Sequence, residues 1–115
     1  MKRLLFFAFI LLLSSCGDKK QQTLPSPLLT EQEMISILTD VQIIEADLTH
    51  RKTNQQDISG MPQQFYDQLF EHYGITDSIF SENLKYYSKQ PATMERLMDS
   101  VTMRLTKEQS TFSAQ

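Results

Sequence analysis

The sequence is short of the residues from which many functional sites are built. Its 115 residues include one cysteine, two histidines, three glycines and no tryptophan. A single Cys excludes an intramolecular disulfide framework and a cysteine-only metal site. Three glycines give little support to a phosphate-cradling loop or a turn-rich β-sandwich. No His-Glu-x-x-His, no Cys-x-x-Cys and no Ser-His-Asp or Cys-His ordering occurs, so a zinc site built from His50, His72 and carboxylates has no ligand spacing behind it. Positive charge is also scarce. Eleven Lys and Arg against fourteen Asp and Glu leave a net charge of −3. With a pI near 5.3, this argues against non-specific nucleic-acid binding, which wants a surplus of basic residues. The length leaves room for one small domain and none for a barrel or dinucleotide-binding enzyme. No metal, cofactor or nucleic acid is expected.

What is present begins with an address. Lys2 and Arg3 precede ten uninterrupted apolar residues, Leu4 to Leu13. That run is half of the roughly 20 apolar residues a transmembrane helix needs, and it matches the core of an export signal. A buried helix of the mature fold would need polar positions on an outer face, and the run has none.

Leu13-Ser14-Ser15-Cys16 then resembles a bacterial lipobox. The resemblance implies cleavage before Cys16, diacylglycerol on its thiol and acylation of the freed amine. Two or more acyl chains hold a protein stably at a membrane, whereas one holds it only marginally. The plainer reading makes Ser14 and Cys16 small residues at a conventional secretory cleavage site. Residues 1–15 are thus expected to be a cleaved signal peptide. Their removal takes away Lys2 and Arg3 and no acidic residue, moving the net charge from −3 to −5. Residues 16–28 are expected to form the lipidated cysteine and a flexible tether. Gly17 to Pro27 is polar with two prolines, able to hold a domain up to ~35 Å from the lipid. Lys19 and Lys20 stand where anionic headgroups would attract them, by about 1 kcal/mol each.

Residues 29–108 read as helices. Thr30-x-x-Glu33 is a capping box, with Leu29 and Met34 as its hydrophobic staple. Met34, Ile37, Leu38, Val41, Ile44 and Leu48 make one apolar stripe, closed by the basic run His50-Arg51-Lys52. A second helix opens around Pro62, carries Phe65, Tyr66, Leu69, Phe70 and Tyr73, and stops at Gly74. Thr76 or Asp77 caps a third, with Phe80, Leu84 and Tyr87 on one side and Ile79 and Tyr86 on another. Pro91 opens a fourth, striped by Met94, Leu97, Met98, Val101 and Leu105. No alternating β-branched run suggests a strand. The expectation is an all-α bundle of about four helices, with residues 109–115 a frayed tail.

The candidate site residues lie mainly on the first helix. At 100° per residue Glu45 falls between Met34 and Leu38, inside the apolar stripe. A carboxylate there must be paired, protonated or at the rim of an opening, because burying it alone is very costly. One reading pairs it with Arg104 or Arg96 of the fourth helix, leaving Asp40 and Asp47 facing water. The other places Glu45 and Asp40 in a tyrosine-lined pocket, where two carboxylates can do acid–base work. Tyr86, on the side of the third helix away from Tyr87, is the candidate surface contact.

The order of lipobox, tether, Leu38-Thr39-Asp40, Glu45-Ala46, Tyr73-Gly74-Ile75, Phe80, Leu84, Tyr86-Tyr87 and Pro91 resembles a family of short Bacteroidota lipoproteins built on a domain of unknown function. The resemblance implies an envelope location and marks Asp40, Glu45, Gly74 and Tyr87 as positions to test. Surface-displayed lipoproteins of such bacteria often carry an acidic cluster after the cysteine. Here Asp18 is followed by Lys19-Lys20, which favours the periplasmic side. The expected role is a non-catalytic binding or scaffolding module, anchored to the membrane through Cys16, with another envelope protein as partner. The alternative is a small ligand-binding or hydrolytic module using Glu45 and Asp40.

Overall fold

A computed structural model describes residues 23–114. The expected signal peptide, Cys16 and the first part of the tether lie outside the described residues. Four helices follow one another: α1 (Glu31–Thr53), α2 (Met61–Tyr73), α3 (Asp77–Ser88) and α4 (Pro91–Ser113). Among the described residues there is no strand, and no helix is long and apolar enough to cross a membrane.

The helix boundaries follow the local chemistry of the sequence. Thr30 accepts from the Glu33 amide at 3.2 Å, while the Glu33 carboxylate accepts from the Thr30 amide at 2.7 Å. The Thr30 backbone and hydroxyl donors hold the Glu33 carboxyl below its ordinary pKa. Gly74 ends α2 in the left-handed region, φ 64°, and Ile75 donates back to the Phe70 carbonyl at 3.0 Å. These are the features of a Schellman turn, in which glycine carries the positive φ without a Cβ clash. Thr76, rather than Asp77, caps α3 by accepting from the Ile79 amide.

α1 is the spine. α2 runs back along it, since Tyr66 meets Glu45 and Tyr73 meets Asp40. α4 runs alongside it in the same direction, with Arg96 bonded to Glu31 and Arg104 to Ser36. α3 packs on α4 and meets α2 through Phe70 and Phe80, whose ring centroids are 5.4 Å apart. The core combines Met34, Ile37 and Leu38 of α1 with Leu69, Phe70, Phe80, Tyr87, Leu97 and Val101. Met34 and Leu97 are completely buried.

Two segments depart from their expected form. α4 remains helical to Ser113, through residues expected to fray, although every residue from Thr106 onward is exposed. The end of the tether is also fixed in place. Asn83, with no exposed surface, accepts from the Leu29 amide at 2.8 Å and donates to the Pro27 carbonyl at 2.9 Å. One helical turn on, the Tyr87 hydroxyl donates to the Leu29 carbonyl at 2.6 Å. Leu29 itself is buried beneath this clasp. A buried backbone segment requires partners for its N–H and C=O groups, and α3 supplies them.

Candidate functional site

The antiparallel packing of α2 on the second half of α1 leaves an apolar groove of about 450 Å³. Its floor is Ile43, Ile44, Phe65 and Leu69, and its rim is Asp40, Asp47, Gln68 and His72. Ile43 lies off the core stripe of α1 and keeps 43% of its surface exposed. Asp47 is held at 2.8 Å by Arg51, one turn along α1. Both side chains are partly solvated, so the pair adds little stability.

Glu45 and Asp40 are each bound by a tyrosine. The Tyr66 hydroxyl donates to Glu45 and the Tyr73 hydroxyl donates to Asp40 at 2.6 Å. Partial burial is the largest cause raising both phenols to about 12, with the hydrogen bond and negative charge of the carboxylate adding to it. Arg104 partly offsets the rise at Tyr73. At neutral pH both hydroxyls therefore keep their protons and act as donors. Each carboxylate is engaged as an acceptor.

This corrects the expected pairing of Glu45 with an arginine: Glu45 is exposed and its partner is Tyr66. Arg96 and Arg104 meet Glu31 and Ser36 instead. The cause is local to Glu45, because Leu48, three residues further along α1, is buried again. Positions 34 and 38 lie in the first half of α1, where the core closes over them, whereas Glu45 lies where α1 is flanked by α2. Asp40 and Glu45 do not share a tyrosine-lined pocket. Asp40 stands on the groove rim, Glu45 is not among its lining residues, and Tyr66 borders a separate hollow with Pro62, Asp77 and Phe80. Tyr86 is half-buried, packed under the end of the linker near Leu24 and Pro25. His50 bonds to Asn54 at the end of α1, and His72 stands edge-on to the Tyr73 ring at 5.0 Å. Among the described residues no group of three His, Cys, Asp or Glu side chains could hold a metal ion.

Alkaline titration separates the two tyrosine pairs from the rest of the fold. A phenol whose pKa is higher in the folded state stabilises that state below its unfolded value. The contribution is lost as pH rises through the folded value. The urea midpoint is therefore expected to fall between pH about 10 and about 12 as Tyr66 and Tyr73 ionise. The Tyr66→Phe, Tyr73→Phe double variant should show a shallower fall. Equal slopes for the two proteins would assign the alkaline loss to other groups.

The architecture defines a class first: a small all-helical domain with a clasped N-terminal linker and an apolar groove beside its spine. The chain belongs to the family described as Domain of unknown function (DUF4296), which matches residues 25–111. The match takes in the clasped linker end, the first three helices and α4 up to residue 111. Comparisons with curated proteins and with solved structures give no match.

Sequence reasoning missed the groove-forming role of Ile43, Phe65 and His72, and all of Asn83. The available signal for Ile43 was an isoleucine on the polar side of an amphipathic helix. For Asn83 it was an amide between Phe80 and Tyr87 on an apolar face.

Proposed function

We propose that this protein is an envelope lipoprotein of the Bacteroidota type, exported by residues 1–15 and anchored through lipid on Cys16. In this reading it faces the periplasm and docks another envelope protein without catalysis. The groove between α1 and α2 carries the binding part of the proposal. Its apolar floor suits two or three side chains of a partner helix, and Asp40 and Asp47 on its rim favour a partner bearing Lys or Arg. The lipobox at Leu13-Ser14-Ser15-Cys16 supports the address.

The hydrolytic alternative is less well supported. It needs Glu45 and Asp40 at one opening, yet they lie about 140° apart around α1 at helical spacing. Each is also bonded to a different tyrosine.

Synthetic amphipathic helices with one apolar face test the groove. A peptide with lysines flanking that face should bind, and its glutamate counterpart should bind at least tenfold more weakly. Ile43→Arg should abolish the difference without changing the melting temperature, because Ile43 is already 43% exposed. Equal affinity for both peptides, or full binding by Ile43→Arg, would remove the groove from the proposal.

A further inference from the structure

A second surface lies outside the groove, where the linker crosses the last turns of α3. Thr23, Leu24 and Pro25 border a hollow with Glu82, Lys85, Tyr86 and Lys89. Leu24 is 64% exposed, and Leu28, beside the clasped Pro27 and Leu29, is 45% exposed. An exposed leucine, Leu24, beside two lysines forms an unusual patch on an acidic domain. Glu82 is the one acidic side chain lining the hollow.

The patch is positioned by chain length. Six residues lie between Cys16 and Thr23, and a fully extended chain covers at most about 25 Å over those seven steps. The clasp by Asn83 and Tyr87 then carries this limit to α3. With Cys16 in a bilayer, the hollow is kept within reach of the lipid, so contacts too weak to act between separate molecules become intramolecular. Lysine at an anionic surface is attracted within a Debye length, and an exposed leucine can enter the headgroup boundary. Lys19 and Lys20 add the same sign of charge on the connecting stretch.

We propose that this face, Leu24 with Lys85 and Lys89, rests on the phosphate headgroups of an anionic phospholipid surface and fixes the orientation of the domain on its membrane. The proposal rests on the lipid-anchor reading and extends it from a point of attachment to a second contact. It is independent of what occupies the α1/α2 groove, which is lined by α1 and α2 alone.

The test is lysine footprinting of the lipidated protein reconstituted into phosphatidylcholine vesicles with and without phosphatidylglycerol. A water-soluble amine reagent should label Lys85 and Lys89 at least fivefold more slowly on the anionic vesicles, the factor expected from one lysine–surface contact. Lys52 and Lys107, on α1 and α4, should label equally on both. High salt should erase the protection. Lys85→Glu with Lys89→Glu changes two exposed side chains, and should let the amides of Thr23, Leu24, Ser26 and Leu28 exchange faster on anionic vesicles. Lys52→Glu should leave them unchanged. Equal labelling on both vesicles overturns the proposal, as does uniform protection of all four lysines. Protection that appears only when envelope proteins are added also overturns it, assigning the face to a protein. The mass of the Cys16 peptide reads the anchor separately. If that peptide carries no lipid, coupling the mature chain through Cys16 to a maleimide lipid still tests whether the face lies down.

Discussion

Asn83→Ala is expected to lower the melting temperature of the domain by about 10–20 °C. The side chain is wholly buried and makes three hydrogen bonds, to the Leu29 amide and the Pro27 and Ile79 carbonyls. Truncation leaves those backbone groups without their partner in a place where water does not readily replace it. An unsatisfied buried polar group costs about 1–3 kcal/mol, so a loss of roughly 2–3 kcal/mol is a modest sum for this site. In a domain of this size each kcal/mol shifts the midpoint by about 4–8 °C. The same variant should speed hydrogen exchange at the Leu29 amide, ahead of the amides within α1. A circular-dichroism melt within a few degrees of wild type would mean that the linker is held by packing of Leu29 and Tyr87 alone.

Cys16→Ser should move the protein from the membrane fraction to the soluble one. The reason is quantitative: a single myristoyl chain binds membranes with only about 10⁴ M⁻¹, while two or more acyl chains hold a protein stably. The headgroup contacts proposed for Lys85 and Lys89 are too weak to retain the domain alone. Fractionation with metabolic lipid labelling provides the measurement. Wild-type protein should carry label and sediment with membranes, and the serine variant should do neither. A serine variant that stays membrane-bound and processed would end the lipoprotein reading and leave the helical domain unaffected.

The helices were legible because their signals are local. The Thr30–Glu33 box, Gly74, Thr76 and Pro91 each act within one turn of chain, and each marks a boundary in the structure. Periodicity gives the direction of Glu45 around its helix but not which neighbour meets it there. Its stripe is real, since Leu48 three residues further on is buried again, yet Glu45 stays exposed beside α2, where the Tyr66 hydroxyl meets it. Tyr66 and Tyr73 were assigned to an aromatic face, which is correct for their rings. Their hydroxyls reach carboxylates 21 and 33 residues away, and no local rule specifies such pairs. Asn83 obeyed a rule that was available. A polar side chain within an apolar stripe needs a partner, and here the partners are backbone groups up to 56 residues distant. The groove was invisible for a related reason, since it is a gap set by how two helices lie against each other. The last turns of α4 read as frayed because nothing covers them, and Phe112 is indeed 79% exposed. Helical geometry there continues the hydrogen-bond ladder of the preceding turns.

The clasp at Leu29 also has a mechanical meaning. Were the chain anchored at Cys16 as proposed, any drag on the domain would reach the fold as tension in the linker. That tension would meet the Leu29 amide and carbonyl, which are held by Asn83 and Tyr87, before it met the first turn of α1. Load would therefore enter through α3 in the middle of the sequence, and α1 would be shielded from being peeled off its neighbours one turn at a time. Two side chains one helical turn apart would thus act as a cleat. Under force, rupture should begin there and leave the four helices folded on a longer leash.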